Sequence, residues 1–293
     1  VRFLTNLRRG GEWRRGLRLL AAYASPSRNI PAGWSSKCLT HSATNLSSRS
    51  TISRIKSTPF QLNYLSHAYK YLDDPYFVAG TSLPDWMSVV DRRNRARSQR
   101  AELVLDDADP RVVSLARGVM RHHHDDRWFH QTEQFAALST GFAVELRALL
   151  IEQSGHQAGF VGHIVVELLL DSVLSDDNPD YLMGYYAAIE SLDVRLVQEA
   201  ANRVCTKPFD ALAMLIPRFL QERFLADYTA DDRLWMRLNH VMRRVGLPPL
   251  PESVISWLAD ARVRVRRASL DLLTEPNNPT NPEPEQPRES TQP

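Results

Sequence analysis

The chain has 293 residues, 43% of them hydrophobic and 24% charged, with a net charge of +2. That is enough apolar material to bury a core, and the absence of a run of about 18 apolar residues argues against a membrane span. Two cysteines, Cys38 and Cys205, make no disulfide framework and fit no metal-binding spacing, so a thiol-keeping compartment, the cytoplasm, is expected.

The charge is unevenly spread. Residues 1–57 hold eleven Arg or Lys against the single acid Glu12, a net of +10, which leaves −8 for the rest of the chain. An acidic body disfavours a nucleic-acid grip. The Arg- and Ser-rich start places Leu4, Leu7, Leu17, Leu19 and Leu20 among arginines. This suits an organelle transit peptide, and equally an extension outside the mature protein; no secretory h-region is present. At the other end, residues 275–293 contain six prolines and almost no apolar side chains, a composition that cannot offset the entropy of ordering. The expected organisation is therefore a basic, disordered or targeting extension over 1–57, one folded domain over 58–274, and a disordered tail over 275–293.

Within 58–274 the apolar spacing is helical nearly throughout, which predicts an all-α, compact multi-helix bundle. Candidate helices fall near 60–72, 77–90, 111–121, 124–137, 140–154, 158–175, 179–190, 193–204, 209–227, 231–245 and 251–273. Punctuation agrees with these bounds at Asp73-Asp74-Pro75, Asp109-Pro110, Gly155, Asn178-Pro179, Lys207-Pro208 and Pro248-Pro249. Asp109 before Pro110 reads as an N-cap followed by a residue that needs no hydrogen-bond acceptor.

Two segments carry the chemistry. Near the amino-terminal half, Arg121-His122-His123-His124-Asp125-Asp126, followed by His130, joins imidazole to hard carboxylate, a combination suited to Mn, Fe or Zn. His122 and Asp126 are four apart and can share a helix face, whereas three adjacent histidines cannot all meet one ion. Further along, the apolar run Phe160–Leu174 contains three ionisable side chains, His163, Glu167 and Asp171, spaced four and four apart. They form one stripe on a helix that is otherwise apolar on every face, which marks it as central. Burying such a stripe without partners costs several kcal/mol, so a divalent cation or a paired core network must compensate. Upstream, His67 lies on an apolar helical stretch and Asp85 stands beside Pro84 and Trp86; spacing alone assigns neither a role.

Taken in order, four segments resemble the acyl-carrier-protein phosphodiesterases, a divergent branch of the HD-type metal-dependent phosphohydrolases. That family's opening Asn-Phe-Leu-Ala-His is similar to Asn63-Tyr64-Leu65-Ser66-His67. Its Gly followed five residues later by Asp resembles Gly80 and Asp85, its Gly-His-Asp spacing resembles Gly118, His122 and Asp126, and its Asp-His pair on an apolar helix resembles Gly162-His163. The chain departs from the pattern at Met120 and Gly162, where the family has His and Asp. The resemblance implies an HD-like helical fold, a Mn-like divalent ion held by His67, Asp85, His122, Asp126 and His163, and hydrolysis of a phosphoester substrate, carrier-protein-linked in the family. Glu167, one turn beyond His163, would then supply the carboxylate missing at Gly162. Asp126 or Glu167 would orient the attacking water or take its proton, and His123, Arg121 or Arg127 would meet the phosphate charge. Two other classes stand beside this one: a helical metalloprotein without hydrolytic activity, and a scaffold in which the His/Glu/Asp network is purely structural.

Overall fold

A computed structural model of the protein describes residues 63–150 and 155–276. The expectations for residues 1–57, and for the tail beyond Pro276, lie outside the described residues. Among the described residues eleven α-helices and one 3-10 turn follow one another, and there is no strand, only an isolated bridge between Ala96 and Cys205. The helices are α1 (Tyr64–Ala68), α2 (Pro75–Val90), α3 (Ser98–Glu102), α4 (Pro110–Phe129), α5 (Glu133–Leu149) and α6 (Gly155–Asp177). They continue as α7 (Pro179–Glu190), α8 (Val194–Val204), α9 (Leu212–Glu222), the 3-10 turn Phe224–Thr229, α10 (Asp231–Val245) and α11 (Ser253–Leu272).

Local chemistry explains most of the boundaries. Asp74, Asp109, Asn178 and Asp193 each accept a backbone N–H from the first turn of the helix that follows. Three of these helices begin with proline, which has no N–H to leave unused. Gly246, at φ 76°, closes α10 in the left-handed conformation that suits glycine.

Several boundaries differ from the sequence reading: α3 was not expected, and the break placed between 137 and 140 lies inside α5. Among the described residues of the helix expected over 60–72, Tyr64–Ala68 are helical, and turn bonds from Tyr71 N to Ala68 O and Asp74 N to Tyr71 O then redirect the chain. The stretch expected over 209–227 stops at Glu222, where Arg223 adopts φ 43°, and resumes as the 3-10 turn. Most consequential is the break placed between 121 and 124, which does not exist. Nothing there breaks a helix, and α4 runs on to Phe129; Thr132 then caps α5 by accepting from Phe135 N at 3.2 Å.

The centre of the molecule is α6. Ile164, Val165, Val166, Leu168, Leu169, Leu170 and Val173 are all buried, although they point to every side of the helix. Around it pack α1, α5, α7, α11 and the 3-10 turn. By length and composition Gln157–Asp177 would suffice to cross a membrane, but most of it is buried inside the protein, as befits a central core helix.

Helices α2 and α4 pack backbone to backbone, and glycines set their distance. A Cβ on Gly80 would lie 2.1 Å from the Leu115 carbonyl oxygen, and one on Gly118 would lie 2.2 Å from that of Phe77. The two backbones therefore touch, which carries Asp85 on α2 toward His122 and Asp126 on α4.

Cys205 is buried, and burial pushes its thiol up to about 12. Iodoacetamide at pH 8 is expected to leave Cys205 unmodified in the native protein and to alkylate it after denaturation, read by peptide mass. Labelling at equal rates in both states would contradict this packing.

Candidate metal centre

Six residues were expected at a metal site, and five of them fall into two clusters of three ligand atoms. In the first, His67 from α1 meets His122 and Asp126 from α4. His67 Nε2 lies 3.5 Å from Asp126 Oδ1, and His122 Nε2 lies 3.3 Å from Asp126 Oδ2. In the second, His163 and Glu167 from α6 meet His130 at the carboxyl end of α4. The Nε2 atoms of His130 and His163 approach the same oxygen, Glu167 Oε1, at 3.0 and 3.1 Å, with their rings stacked at 4.9 Å. His163 thus belongs with His130 and Glu167, not in one set with His67 and His122. The sixth residue, Asp85, is buried and belongs to neither cluster, but it lines a cavity of about 320 Å³ together with His122, Asp126 and His130.

Each ligand is held by a neighbour that fixes its direction. His122 Nδ1 donates to the Thr81 carbonyl at 2.8 Å, which turns Nε2 toward Asp126. That carbonyl lies in a turn of α2 interrupted by Pro84, whose missing N–H loosens the helical ladder. His67 Nδ1 lies 3.4 Å from Asp125 Oδ2, and Asp125 is itself held by Arg121 at 2.7 Å and by the Trp128 indole N–H at 3.2 Å. Phe135 packs edge-on against both His130 and His163. Asp171, the last member of the α6 stripe, turns away from the clusters: it accepts from Leu65 N at 2.9 Å and Ser66 N at 2.8 Å. Its work is to pin α1, and with it His67, onto α6.

The same arrangement sorts the other candidates. His123 Nε2 donates to the Ala96 carbonyl at the cavity wall, and His124 is exposed and pairs with Glu275, so of the three adjacent histidines only His122 joins a cluster. Arg121 is committed to Asp125 and is not available to a phosphate, whereas Arg127 lines the cavity. Gly162, where the resembled family carries Asp, faces α5: a Cβ there would sit 2.7 Å from the Ser139 carbonyl oxygen. A carboxylate has no room at that position, and the acid on this helix is Glu167.

His130 and Asp125 were named in the His/Asp cluster of the sequence but not among the expected ligands. For His130 a signal existed, since His122, Asp126 and His130 repeat the four-and-four spacing of His163, Glu167 and Asp171. It reads as a stripe only once α4 is known to be continuous.

Burial and close acid–imidazole contacts set the electrostatics of the two clusters. Burial raises the carboxyl of Asp85 well above its usual range, and the carboxylates Asp126, Glu167 and Asp171 add to that, while His67 opposes it. Burial acts against the His67 imidazolium, but Asp125 and Asp126 outweigh it and raise the group to about 10. For Asp126 burial is likewise outweighed, here by His122 and His67, which hold the carboxyl well below its ordinary range. Five buried atoms from the expected residues, His67 Nε2, Asp85 Oδ2, Asp126 Oδ1, His163 Nε2 and Glu167 Oε2, make no well-formed hydrogen bond among the described residues, although His67 Nε2 and His163 Nε2 lie 3.5 and 3.1 Å from carboxylate oxygens. Buried polar atoms are rarely left so. Their mixed nitrogen and oxygen character fits a divalent first-row metal ion, and these buried groups can hold one.

No family model matches the chain, and neither does any curated protein or solved structure compared with it.

Proposed function

We propose that the protein is a metal-dependent phosphohydrolase that cleaves a phosphoester with water, using Mn²⁺ or, in its place, Fe or Zn. The observation that carries the reading is the set of five buried nitrogen and oxygen atoms without a well-formed hydrogen bond, two of them on Asp85 and Asp126, which line an open cavity. His67, His122 and Asp126 would hold one ion, and His130, His163 and Glu167 offer a second set; Asp85 stands beside them. When bound, such an ion polarises a phosphoryl oxygen and brings a coordinated water close to neutrality in its pKa.

The chain's own groups do the rest. His67 can offer Nε2 only as neutral imidazole, so it gives up its proton on ligating, and Asp125 keeps its ring oriented meanwhile. Asp126 and Glu167 present carboxylate oxygens that align the attacking water and accept its proton as the new P–O bond forms. The ester P–O bond breaks, and the departing oxygen takes up a proton. Segment order, from Asn63 to His163, keeps the carrier-protein phosphodiester of the resembled family as the first natural substrate to try.

The full chain, purified without added metal, is expected to carry one or two equivalents of Mn, Fe or Zn by elemental mass spectrometry. His163→Ala is expected to lose at least one of them. Hydrolysis of a chromogenic phosphodiester should stop on chelation and return with Mn²⁺. A protein that takes up no metal after exposure to each ion would make the polar stripe a structural network. Metal without hydrolysis of any phosphoester would make it a non-catalytic metalloprotein.

A further inference from the structure

Above the metal centre the same cavity is walled by three arginines, Arg95, Arg97 and Arg127. Several other arginines meet acids: Arg264 with Glu145, Arg262 with Asp231, Arg121 with Asp125. None of the three wall arginines makes an ion pair, or a hydrogen bond through its guanidinium, with any described residue. Burial, with the positive charges of Arg97 and Arg92, pushes the half-buried Arg95 down from its usual value.

Nor is the loop that carries two of them loosely held. The buried Asn94 donates to Lys207 O at 2.8 Å and accepts from Thr206 Oγ1 and Lys207 N, both at 2.9 Å. Thr206 N donates to Arg95 O, Arg97 N donates to Val204 O, and His123 donates to Ala96 O. The backbone around Arg95 and Arg97 is thus fastened to α4 and to the end of α8, with the entropy of ordering already spent in the free protein. Arg127 faces them from α4, one residue beyond Asp126.

Three positive charges held around one small cavity, none of them paired with a described acid although Asp85 and Asp126 share the lining, call for anionic charge from a ligand. A single phosphate drawn to the metal centre would leave most of that charge unmet. A cavity of about 320 Å³ is at the small end for ligand sites, so the charge must arrive in compact form. We propose that the substrate carries two linked phosphates, one placed at the His/Asp/Glu centre and its neighbour gripped by Arg95, Arg97 and Arg127. A guanidinium suits this task because its planar fork matches two phosphate oxygens at once. This substrate class rests on the metal-dependent hydrolase reading; the anion grip itself does not.

The test is calorimetric titration of the full chain, metal-loaded and chelated, with inorganic pyrophosphate and with orthophosphate. Pyrophosphate is expected to bind at least ten-fold more tightly than orthophosphate in both forms. Arg95→Gln and Arg127→Gln should each weaken pyrophosphate about ten-fold and leave the metal content unchanged. Arg97→Gln and Arg127→Gln alter exposed side chains, so an unchanged melting temperature shows that folding is not what they report. Equal affinity for the two anions, or indifference of all three variants, overturns the proposal. If chromogenic phosphoester turnover nevertheless needs metal, only the diphosphate assignment has failed. If pyrophosphate binds through the arginines but no metal and no turnover are found, the hydrolase reading has failed and the anion site stands.

Discussion

Without metal, Asp85→Asn is expected to melt at a higher temperature than the parent, and with saturating Mn²⁺ the order is expected to reverse. Asp85 is buried, its Oδ2 has no partner, and burial together with neighbouring carboxylates opposes its ionisation. A neutral amide of the same shape removes that conflict and should add about 1–2 kcal/mol, or roughly 3–6 °C for a domain of this size. Mn²⁺ at about 100 times its Kd should then stabilise the parent by about 2.7 kcal/mol and the variant by much less, because one oxygen donor has been weakened. Differential scanning fluorimetry with chelator and with Mn²⁺ reads both signs. Glu167→Gln provides the contrast. Glu167 is paired with His130 and His163, so its loss should lower stability even without metal. If Asp85→Asn destabilises the chelated protein and Mn²⁺ shifts parent and variant equally, the carboxylate is part of a structural network and not of a metal site.

Gly118→Val is expected to be among the most damaging single changes outside the site. The new Cβ would collide with the Phe77 carbonyl oxygen at 2.2 Å and with Gly80 Cα at 2.9 Å. Both are backbone atoms, so no side chain can swing aside; α2 and α4 must separate. A loss of about 3 kcal/mol is expected, the upper part of the range for overpacking. Metal affinity should fall with it, since α2 carries Asp85 while α4 carries His122, Asp126 and His130. Gly141→Ala on α5 is the control: nothing lies within 4 Å of its added Cβ, and the better helix former should add up to about 1 kcal/mol. Thermal melts of the two variants should therefore move in opposite directions. An unchanged melting temperature for Gly118→Val would mean that the two helices are not in backbone contact.

The physical origin of each site residue decides how far it could be read in advance. His163, Glu167 and Asp171 were legible as a stripe because periodicity within one helix is a local property. The rise and turn of the helix put residues four apart on one face whatever else the chain does. The all-α class was legible for the same reason, and so was the cap at Asp109. His67 and Asp85 stood out only through resemblance, since a lone His or Asp on an apolar stretch has many ordinary uses.

What a stripe member does was another matter. Asp171 and Glu167 are equivalent by spacing, yet one fastens the amides of α1 and the other meets two imidazoles. That choice depends on where α1 and α4 dock against α6, a long-range packing outcome with no local signature. His130 joined the site only because α4 continues past His124, and Arg95 and Arg97 joined the cavity only because Asn94 ties their loop to the end of α8. By itself, then, the sequence determined a helical domain and a line of buried donors on its central helix, because helical periodicity is a short-range geometry. Tertiary structure alone decided that the donors form two clusters beneath three unpaired arginines, because those contacts join residues far apart in the chain through packing between helices.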